Sequence, residues 1–296
     1  MFSIKPVSHD YFIPDRFRNK AILITGAASG MGAAAATRAA REGANVACVD
    51  RRAKELDETV KRIKAGGHDV IAVVSDVSRT DDADRMVVET VKAFGSIDLA
   101  INGAGIFEAI GYDKPVDYEK DWRLLPSPIH LAADEYWEAV LATNITGVFK
   151  SLRAELRQMV RQGKGGAIVN IGSVAAIIGI PGNPAYSSSK HAVTGITRNA
   201  AIDYAPYGIR VNSVNPPATD TPMIKRVYEV NKAAKAAGRG TAAPGSHAGS
   251  LIQQNDPDHR ISTPWEQVST MLYLLSDEAS DLTGGIFPTD GGASTY

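Results

Sequence analysis

A tyrosine and a lysine four residues apart, Tyr186 and Lys190, are the side chains of this sequence best suited to proton transfer. On a helix this spacing places both on one face, one turn apart, so the ammonium group can lie beside the phenol. A nearby positive charge favours the tyrosinate and lowers a pKa that is ordinarily about 10. We therefore expect the pair to take a proton from an alcohol, or give one to a carbonyl oxygen, at neutral pH.

The spacing alone is weak evidence, because Tyr228 and Lys232 repeat it. That second pair lies in a stretch rich in alanine, lysine and glycine with no strand before it, and we interpret it as surface or lid. Tyr186 differs because an apolar strand, residues 167–171, ends shortly upstream and is followed by Ser173. Ligand sites in open α/β sheets lie at such strand ends.

Short apolar runs alternate with longer helical stretches from residue 20 onward, a pattern typical of a parallel sheet with crossover helices. The predicted strands are residues 21–25, 45–50, 70–74, 97–101, 167–171, 209–214 and one near residue 286. No linker or internal repeat interrupts them. The sequence therefore predicts a doubly wound α/β fold in one domain, residues 20–296, after an irregular extension, residues 1–19, that packs on a neighbouring surface.

The first predicted strand ends in a glycine-rich turn, residues 25–32, and an alanine-rich helix follows. Glycines let the backbone approach a pyrophosphate, and the helix amino terminus offers unpaired N–H groups. Asp50 ends the second strand, where a carboxylate can bond both ribose hydroxyls of adenosine and repel a 2′-phosphate. Arg51 and Arg52 are guanidinium groups that such a phosphate would bind. The turn predicts a dinucleotide site, and Asp50 favours NAD over NADP.

Composition narrows the classes of partner. The 32 basic and 33 acidic residues nearly balance, and no basic block suggests nucleic acid, so we expect a small-molecule partner. The single cysteine, Cys48, lies in an apolar run and suits a small buried hydrophobe. No stretch is long enough to span a bilayer and no secretory signal is evident, which predicts a cytoplasmic protein. We predict no metal site.

Several motifs in order resemble the classical short-chain dehydrogenase/reductase family. They are the glycine pattern of residues 25–32, the run Asn102-Gly-Ala-Gly105, and then Asn144, Ser173, Tyr186 and Lys190. The resemblance covers nearly everything from residue 20 onward. It implies a Rossmann-like fold with a seven-stranded parallel sheet, and an oxidoreductase that moves a hydride between a nicotinamide cofactor and a secondary alcohol or ketone.

The resemblance also implies roles for individual residues. Tyr186 would be the acid/base, Lys190 would lower its pKa and bond the nicotinamide ribose, and Ser173 would hold the substrate oxygen. Asn144 would kink its helix and bind a water that links Lys190 to solvent. The cofactor contacts expected from the strand ends and the resemblance are Gly26, Ser29, Gly30, Met31, Gly32, Asp50, Asp76, Val77, Asn102, Gly103, Ala104, Tyr186, Lys190, Pro216, Thr219 and Thr221.

Each role has a plainer alternative. Ser173 could cap a strand end, Lys190 could be a solvated helix charge, Asn144 a satisfied core amide, and Asp76 a helix cap. Two positions depart from the family: Gly103 replaces its second asparagine, and Pro217 replaces the glycine after the sixth strand. Proline fixes φ and lacks an N–H, so we expect the backbone there to follow a different path.

Two irregular stretches are expected to shape the substrate site. Residues 107–133 suit a lip over the pocket or a subunit contact, and residues 223–262 suit a lid that closes over the substrate. The apolar candidates for the pocket are Val174, Ala175, Ile177, Ile178, Met223, Ile224 and residues 122–125. We expect a hydrophobic, cyclic or aromatic secondary alcohol or its ketone.

Two rival functions remain open at this point. A sugar-nucleotide epimerase or dehydratase of the extended type shares the Tyr-x-x-x-Lys, although the glycine spacing and the missing carboxyl-terminal substrate domain disfavour it. A catalytically idle NAD-binding protein for assembly or sensing has only Pro217 in its favour. The resemblance further implies a homotetramer, in which the helices containing Asn144 and Tyr186 pack against a neighbour.

Overall fold

Seven parallel strands form one sheet at the centre of the computed structural model, which describes residues 4–112, 114–240 and 250–295. The strands are β1 (Ala21–Thr25), β2 (Asn45–Asp50), β3 (Val70–Val74), β4 (Leu99–Asn102), β5 (Gly166–Ile171), β6 (Ile209–Asn215) and β7 (Ile286–Pro288). Their order across the sheet is β3-β2-β1-β4-β5-β6-β7. The predicted Rossmann-like α/β fold is confirmed, and the order reverses between β1 and β4, where such sheets bind ligands.

Helices cover both faces of the sheet. They are α1 (Gly30–Arg41), α2 (Ala53–Ala65), α3 (Thr80–Phe94), α4 (Tyr118–Asp121), α5 (Asp134–Leu141), α6 (Gly147–Gln162), α7 (Pro184–Tyr204), α8 (Pro222–Ala236), α9 (Leu251–Asn255) and α10 (Pro264–Leu275). Single 3₁₀ turns occupy Trp122–Leu124, Ile129–Leu131, Val174–Ala176, Ala205–Tyr207 and Asp277–Ala279. Two apolar cores result, one beneath α1, α2 and α10 and one beneath α3, α6 and α7.

Strand β4 begins two residues later than the sequence predicts. The predicted strand starts at Ile97, but the backbone amide and carbonyl of Ile97 both form hydrogen bonds with the Gln162 side chain. Its Oε1 accepts from the Ile97 amide at 2.9 Å and its Nε2 donates to the Ile97 carbonyl at 2.8 Å. The hydrogen bonds that Ile97 would make to a neighbouring strand are thus made to a side chain.

The amino-terminal segment packs on the carboxyl end of α1. Phe17 is buried, and the Arg16 guanidinium binds the buried Glu42 carboxylate at 2.7 Å. The guanidinium of Arg38 lies over the Tyr11 ring, 4.9 Å from its centroid, and also binds Glu42. Part of the predicted extension, residues 4–19, therefore covers a surface of its own chain.

The stretch predicted as a lip, residues 107–133, forms a third apolar cluster with α8. Phe107, Tyr118 and Leu125 pack there against Val230. A buried ion pair joins the same two segments, because the Arg226 guanidinium lies 3.3 Å from a Glu108 carboxylate oxygen. Within the predicted lid, residues 241–249 lie outside the described residues.

A buried carboxyl group lies under the ends of β4 and β5. Glu155 on α6 accepts a hydrogen bond from the Asn102 amide at 3.0 Å, and the same amide donates to Asn170 at 3.1 Å. Among the described residues, the second carboxylate oxygen of Glu155 and the side-chain oxygen of Asn102 have no hydrogen-bond partner. Burial raises the Glu155 pKa from 4.5 to about 7.

We expect Glu155→Gln to stabilise the protein above pH 7 and to change little at pH 5. Between pH 4.5 and 7 the folded state holds a proton that the unfolded chain has lost, so stability falls as the pH rises through this window. The cost reaches roughly 3 kcal/mol above pH 7, and a neutral amide avoids it. Urea unfolding at pH 5 and 8.5 measures the difference, with the exposed Glu138→Gln as control. Equal gains at both pH values would contradict this account.

Candidate active site

Two cavities meet at the carboxyl ends of the strands. A cleft of about 240 Å³ runs along the ends of β1, β2 and β3, and a larger cavity of about 650 Å³ lies beside β5 and β6. We call them the cofactor cleft and the substrate cavity. Met31, Thr221 and Met223 line both. A molecule in the cleft can therefore touch a molecule in the cavity.

The glycine-rich turn gives the cleft its floor. Gly26 has φ +76°, and a Cβ there would lie 2.7 Å from the Gly103 carbonyl oxygen. A Cβ on Gly32 would overlap the Gly26 carbonyl. The Ser29 hydroxyl makes no cap to α1, so the first N–H groups of this helix remain open to the cleft. Such a turn suits a pyrophosphate.

Gly103, which departs from the family pattern, is required by a close approach of two strands. A Cβ there would lie 2.8 Å from the carbonyl oxygen of Thr25. The amides of Gly103 and Ala104 both donate to the Thr25 hydroxyl, at 3.0 and 3.2 Å. The small residue thus lets β1 and β4 close the base of the cleft.

Asp50 and Arg52 form the end of the cleft where adenosine ribose is expected. Asp50 is 9% exposed, and its carboxylate accepts from the amides of Ala28 at 3.2 Å and Arg52 at 2.9 Å. The Arg52 guanidinium lies 3.4 Å from the same carboxylate and donates to the Ser29 hydroxyl at 2.8 Å. Asp50 therefore holds Arg52 at the cleft wall. The nearby Ser75 hydroxyl also lines the cleft and is buried without a partner among the described residues.

The structure brings most predicted cofactor contacts together. Those lining the cleft are Gly26, Ser29, Gly30, Met31, Gly32, Asp50, Asp76, Val77, Gly103, Ala104 and Thr221. Tyr186, Pro216 and Thr219 line the substrate cavity instead. Asn102 and Lys190 are buried behind the walls, since Asn102 binds Glu155 and Lys190 binds a strand carbonyl. The residues present fit a dinucleotide with its pyrophosphate at α1.

Tyr186 and Ser173 lie together in the substrate cavity. Both side chains line this cavity, and the Tyr186 ring packs edge-on against Phe107 with centroids 5.9 Å apart. Burial raises the pKa of Tyr186, and the nearby Ser173 hydroxyl lowers it by a smaller amount. The expected net lowering by Lys190 is therefore absent from this structure, because desolvation of the phenol is the larger effect.

Lys190 and Asn144 converge behind Tyr186. The Lys190 ammonium group donates to the Ile171 carbonyl at 2.8 Å and lies 5.7 Å from the centroid of the Tyr186 ring. Burial lowers its pKa to about 8. A Cβ on Gly105 would lie 3.4 Å from Asn144 Oδ1 and 3.7 Å from Lys190 Nζ, so the two groups face one space at this glycine.

Asn144 lies in a π-helical turn, Ala142–Thr146, that joins α5 to α6. Its amide oxygen accepts from the Ile106 amide at 2.8 Å, and its nitrogen donates to the Ile106 carbonyl at 2.9 Å. Turns of this kind widen a helix and are frequent at functional sites. The fully buried amide thus fixes the chain after β4 against the helix that precedes α6.

Both prolines after β6 are accommodated within the cavity wall. The Pro216 carbonyl accepts from the Val174 amide at 2.8 Å, and the Pro217 carbonyl accepts from the Thr219 hydroxyl at 3.0 Å. Thr221 then caps α8 through a 3.5 Å bond from the Ile224 amide. Pro217 therefore forms part of an ordered turn that lines the substrate cavity.

The substrate cavity is mainly apolar near Tyr186. Of the predicted pocket residues, Val174, Ala175, Met223 and Ile224 line it, whereas Ile177, Ile178 and residues 122–125 do not. From the predicted lip, Phe107 and residues 126–128 line it instead. The exposed Tyr228 of the second Tyr-x-x-x-Lys also lines this cavity, from α8.

Sequence reasoning missed Tyr112 and Glu155. Tyr112 lines the cofactor cleft, its ring lies 5.7 Å from the Arg52 guanidinium, and burial raises the pKa of its hydroxyl. Nothing in the irregular stretch around Tyr112 signals that position. The burial of Glu155 could have been predicted, because Glu155 falls at helical spacing among apolar residues such as Leu152 and Met159, which are buried on the same helix.

The geometry agrees with comparisons to known proteins. Residues 20–232 match the family model described as short chain dehydrogenase. The chain is 37% identical to a 3beta-hydroxysteroid dehydrogenase of Mediterraneibacter gnavus, over 96% of this chain and 98% of that protein. It is 34% identical to levodione reductase of Leifsonia aquatica, over 94% and 96%.

Solved structures are similar over nearly the whole chain. A crystal structure of levodione reductase superposes with a TM-score of 0.79 at 31% identity, covering 94% of this chain and 99% of that one. A short chain dehydrogenase from Mycobacterium paratuberculosis bound to NAD gives 0.80 at 29% identity, covering 95% and 100%. The chain therefore belongs to the short-chain dehydrogenase/reductase family and is a nicotinamide-dependent oxidoreductase acting on hydroxyl or keto groups.

Proposed function

We propose that the protein is an NAD-dependent dehydrogenase of a hydrophobic secondary alcohol, or a reductase of the corresponding ketone, with Tyr186 as acid/base. The observation that carries the proposal is that Tyr186 and Ser173 line the same apolar cavity, which lies beside the cofactor cleft. The hydroxysteroid and levodione in the names of two relatives support a cyclic, apolar substrate.

Each residue near the pair has a distinct task in this proposal. The nicotinamide supplies the hydride chemistry. Ser173 binds the substrate oxygen, and Tyr186 takes the hydroxyl proton in oxidation or gives it back in reduction. Lys190 stabilises the phenolate by its charge and bonds the nicotinamide ribose, and Asn144 holds the water that relays protons from Lys190.

The preference for NAD rests on Asp50. Its carboxylate is poorly exposed and lines the cleft where the ribose is expected, so it would repel a 2′-phosphate. Arg52, the group that would attract that phosphate, is already bound to Asp50 and Ser29. The NAD-bound structure from Mycobacterium paratuberculosis supports the same cofactor.

A screen of alcohols and ketones with both cofactors tests the function. Nicotinamide absorbance should respond to cyclic or aromatic secondary alcohols with NAD, and only weakly to small polar polyols. Equal rates for polyols and bulky apolar alcohols would contradict the substrate class. Cofactor binding with no turnover of any alcohol or ketone would favour the idle NAD-binding protein instead.

We expect opposite pH dependences for the two directions. Oxidation needs the deprotonated Tyr186, whose pKa burial raises, so its rate should increase from pH 7 to 9. Reduction needs the protonated phenol and should be fastest at pH 7 and below. Initial rates in both directions, with an alcohol and its own ketone, measure this. An oxidation rate that falls between pH 7 and 8 would contradict it.

Oligomeric state, domain organisation and location are further proposals. We propose a homotetramer with helices α5, α6 and α7 at one interface, where Trp137 and Phe149 are exposed apolar side chains. Light scattering that gave a monomer at working concentration would contradict it. Residues 20–296 are proposed as one domain, because one sheet edge serves both cavities. No helix in the described residues is long and apolar enough to cross a membrane; a cytoplasmic location stays a prediction.

A further inference from the structure

The wall that α8 contributes to the substrate cavity changes character along its length. Met223, Ile224 and Val227 lie near the cofactor cleft, whereas Tyr228, Asn231 and Lys235 line the far part. Twelve residues separate Met223 from Lys235, which is about 18 Å along a helix. Arg239 follows the helix and lines the same end. The cavity thus runs from an apolar, reactive end to a polar end.

The charge at the far end has one sign. Lys235 and Arg239 are the charged residues among those that line the cavity, and no aspartate or glutamate of the described chain lines it. A cavity with apolar walls and unbalanced positive charge attracts an anion more strongly than an open surface does. The arrangement would disfavour a cationic substrate.

The Arg239 guanidinium is held in place but not neutralised. It stacks on the Trp122 ring, 5.1 Å from its centroid, and within residues 4–112, 114–240 and 250–295 it has no carboxylate partner. Arg123 stacks on the same ring at 5.3 Å, but it binds Glu135 at 2.6 Å. A positioned guanidinium binds a carboxylate with little further loss of side-chain freedom.

We propose that Arg239, assisted by Lys235, forms an anion-binding subsite that selects elongated apolar substrates with a carboxylate at the end opposite the reacting carbon. The proposal rests on the proposed function, because it assigns the substrate class of the same cavity. Apolar contacts along Met223 to Val227 bind the body of the molecule. The guanidinium then fixes its register, so that the reacting carbon reaches Tyr186.

Two ligands that differ only in charge test the subsite. We use 5-cyclohexylpentanoate and its amide, with calorimetric binding to the protein saturated with NAD. The wild type should bind the carboxylate about tenfold more tightly than the amide, the size expected for a charge-assisted hydrogen bond in a partly wet site. Raised salt should reduce the difference.

Variants assign the preference to particular residues. Arg239→Gln should bring the two affinities to within about twofold, and Arg239→Lys should retain part of the difference. Arg123→Gln is the matched control, because it removes the other guanidinium from the same tryptophan ring and should keep the tenfold preference. Lys235→Gln should lower the preference for the carboxylate over the amide by about threefold. Lys232→Gln, on the same helix but outside the cavity lining, should leave this preference unchanged.

The outcomes separate this proposal from the proposed function. Equal wild-type affinities, binding of neither ligand, or a full preference in Arg239→Gln would overturn the subsite. A cyclohexanone bearing the same pentanoate chain, and its amide, extend the test to turnover. Turnover of both at equal kcat/KM would support the function and contradict the subsite. A carboxylate preference in binding, without turnover of any ketone, would support the subsite and contradict the proposed function.

Discussion

Tyr186→Phe is expected to lower turnover by at least about a thousandfold while NAD still binds. The phenol and Ser173 both line the reacting end of the substrate cavity, and the phenol hydroxyl is the group proposed to transfer the proton. Phenylalanine keeps the edge-on contact with Phe107 and fills the same space, so the fold should be unaffected. Steady-state rates give the loss, and NAD titration with thermal unfolding checks binding and fold.

The chain supplies its own control in Tyr228→Phe. Tyr228 has a lysine four residues on, as Tyr186 has, and it also lines the substrate cavity, but it is 56% exposed. Loss of the Tyr228 hydroxyl can change KM, but it should leave kcat within about threefold of wild type. Retention of more than a tenth of wild-type kcat in Tyr186→Phe would mean that another group transfers the proton.

The contrast between the two tyrosines shows what the sequence could predict. Parallel strands buried on both faces appear as continuous apolar runs, so the strand that leads to Ser173 could be located and Tyr186 preferred. Ile97 was assigned to a strand because its own type suits one. Only the fold brings Gln162 to its backbone, 65 residues away in the chain.

Residues on irregular segments could not be placed in advance. Arg239 follows α8 in a stretch whose composition suggests a solvated lid, and its role depends on Trp122, a residue more than a hundred positions earlier. Neither residue belongs to a periodic pattern. The pKa of Tyr186 was also mispredicted, because the spacing of Lys190 reveals the nearby charge but not the depth of burial.

Asp50→Asn is expected to shift cofactor preference toward NADP by about a hundredfold, measured as the ratio of kcat/KM values for the two cofactors. The carboxylate repels a 2′-phosphate, and such like-charge contacts cost several kcal/mol. It also binds Arg52, so its neutralisation frees that guanidinium for the phosphate. Asparagine keeps an oxygen that can accept from the Ala28 amide, which preserves the turn.

A second substitution separates the two causes. Arg52→Gln added to Asp50→Asn should remove the part of the NADP gain that comes from attraction and leave the part that comes from lost repulsion. Glu55→Gln, which neutralises an acidic side chain near the start of α2 that does not line the cleft, should leave the ratio unchanged. An unchanged ratio in Asp50→Asn, or a wild type that prefers NADP, would show that Asp50 does not select the cofactor. In that case Arg52, bound to Ser29 at the same wall, would be the group that does.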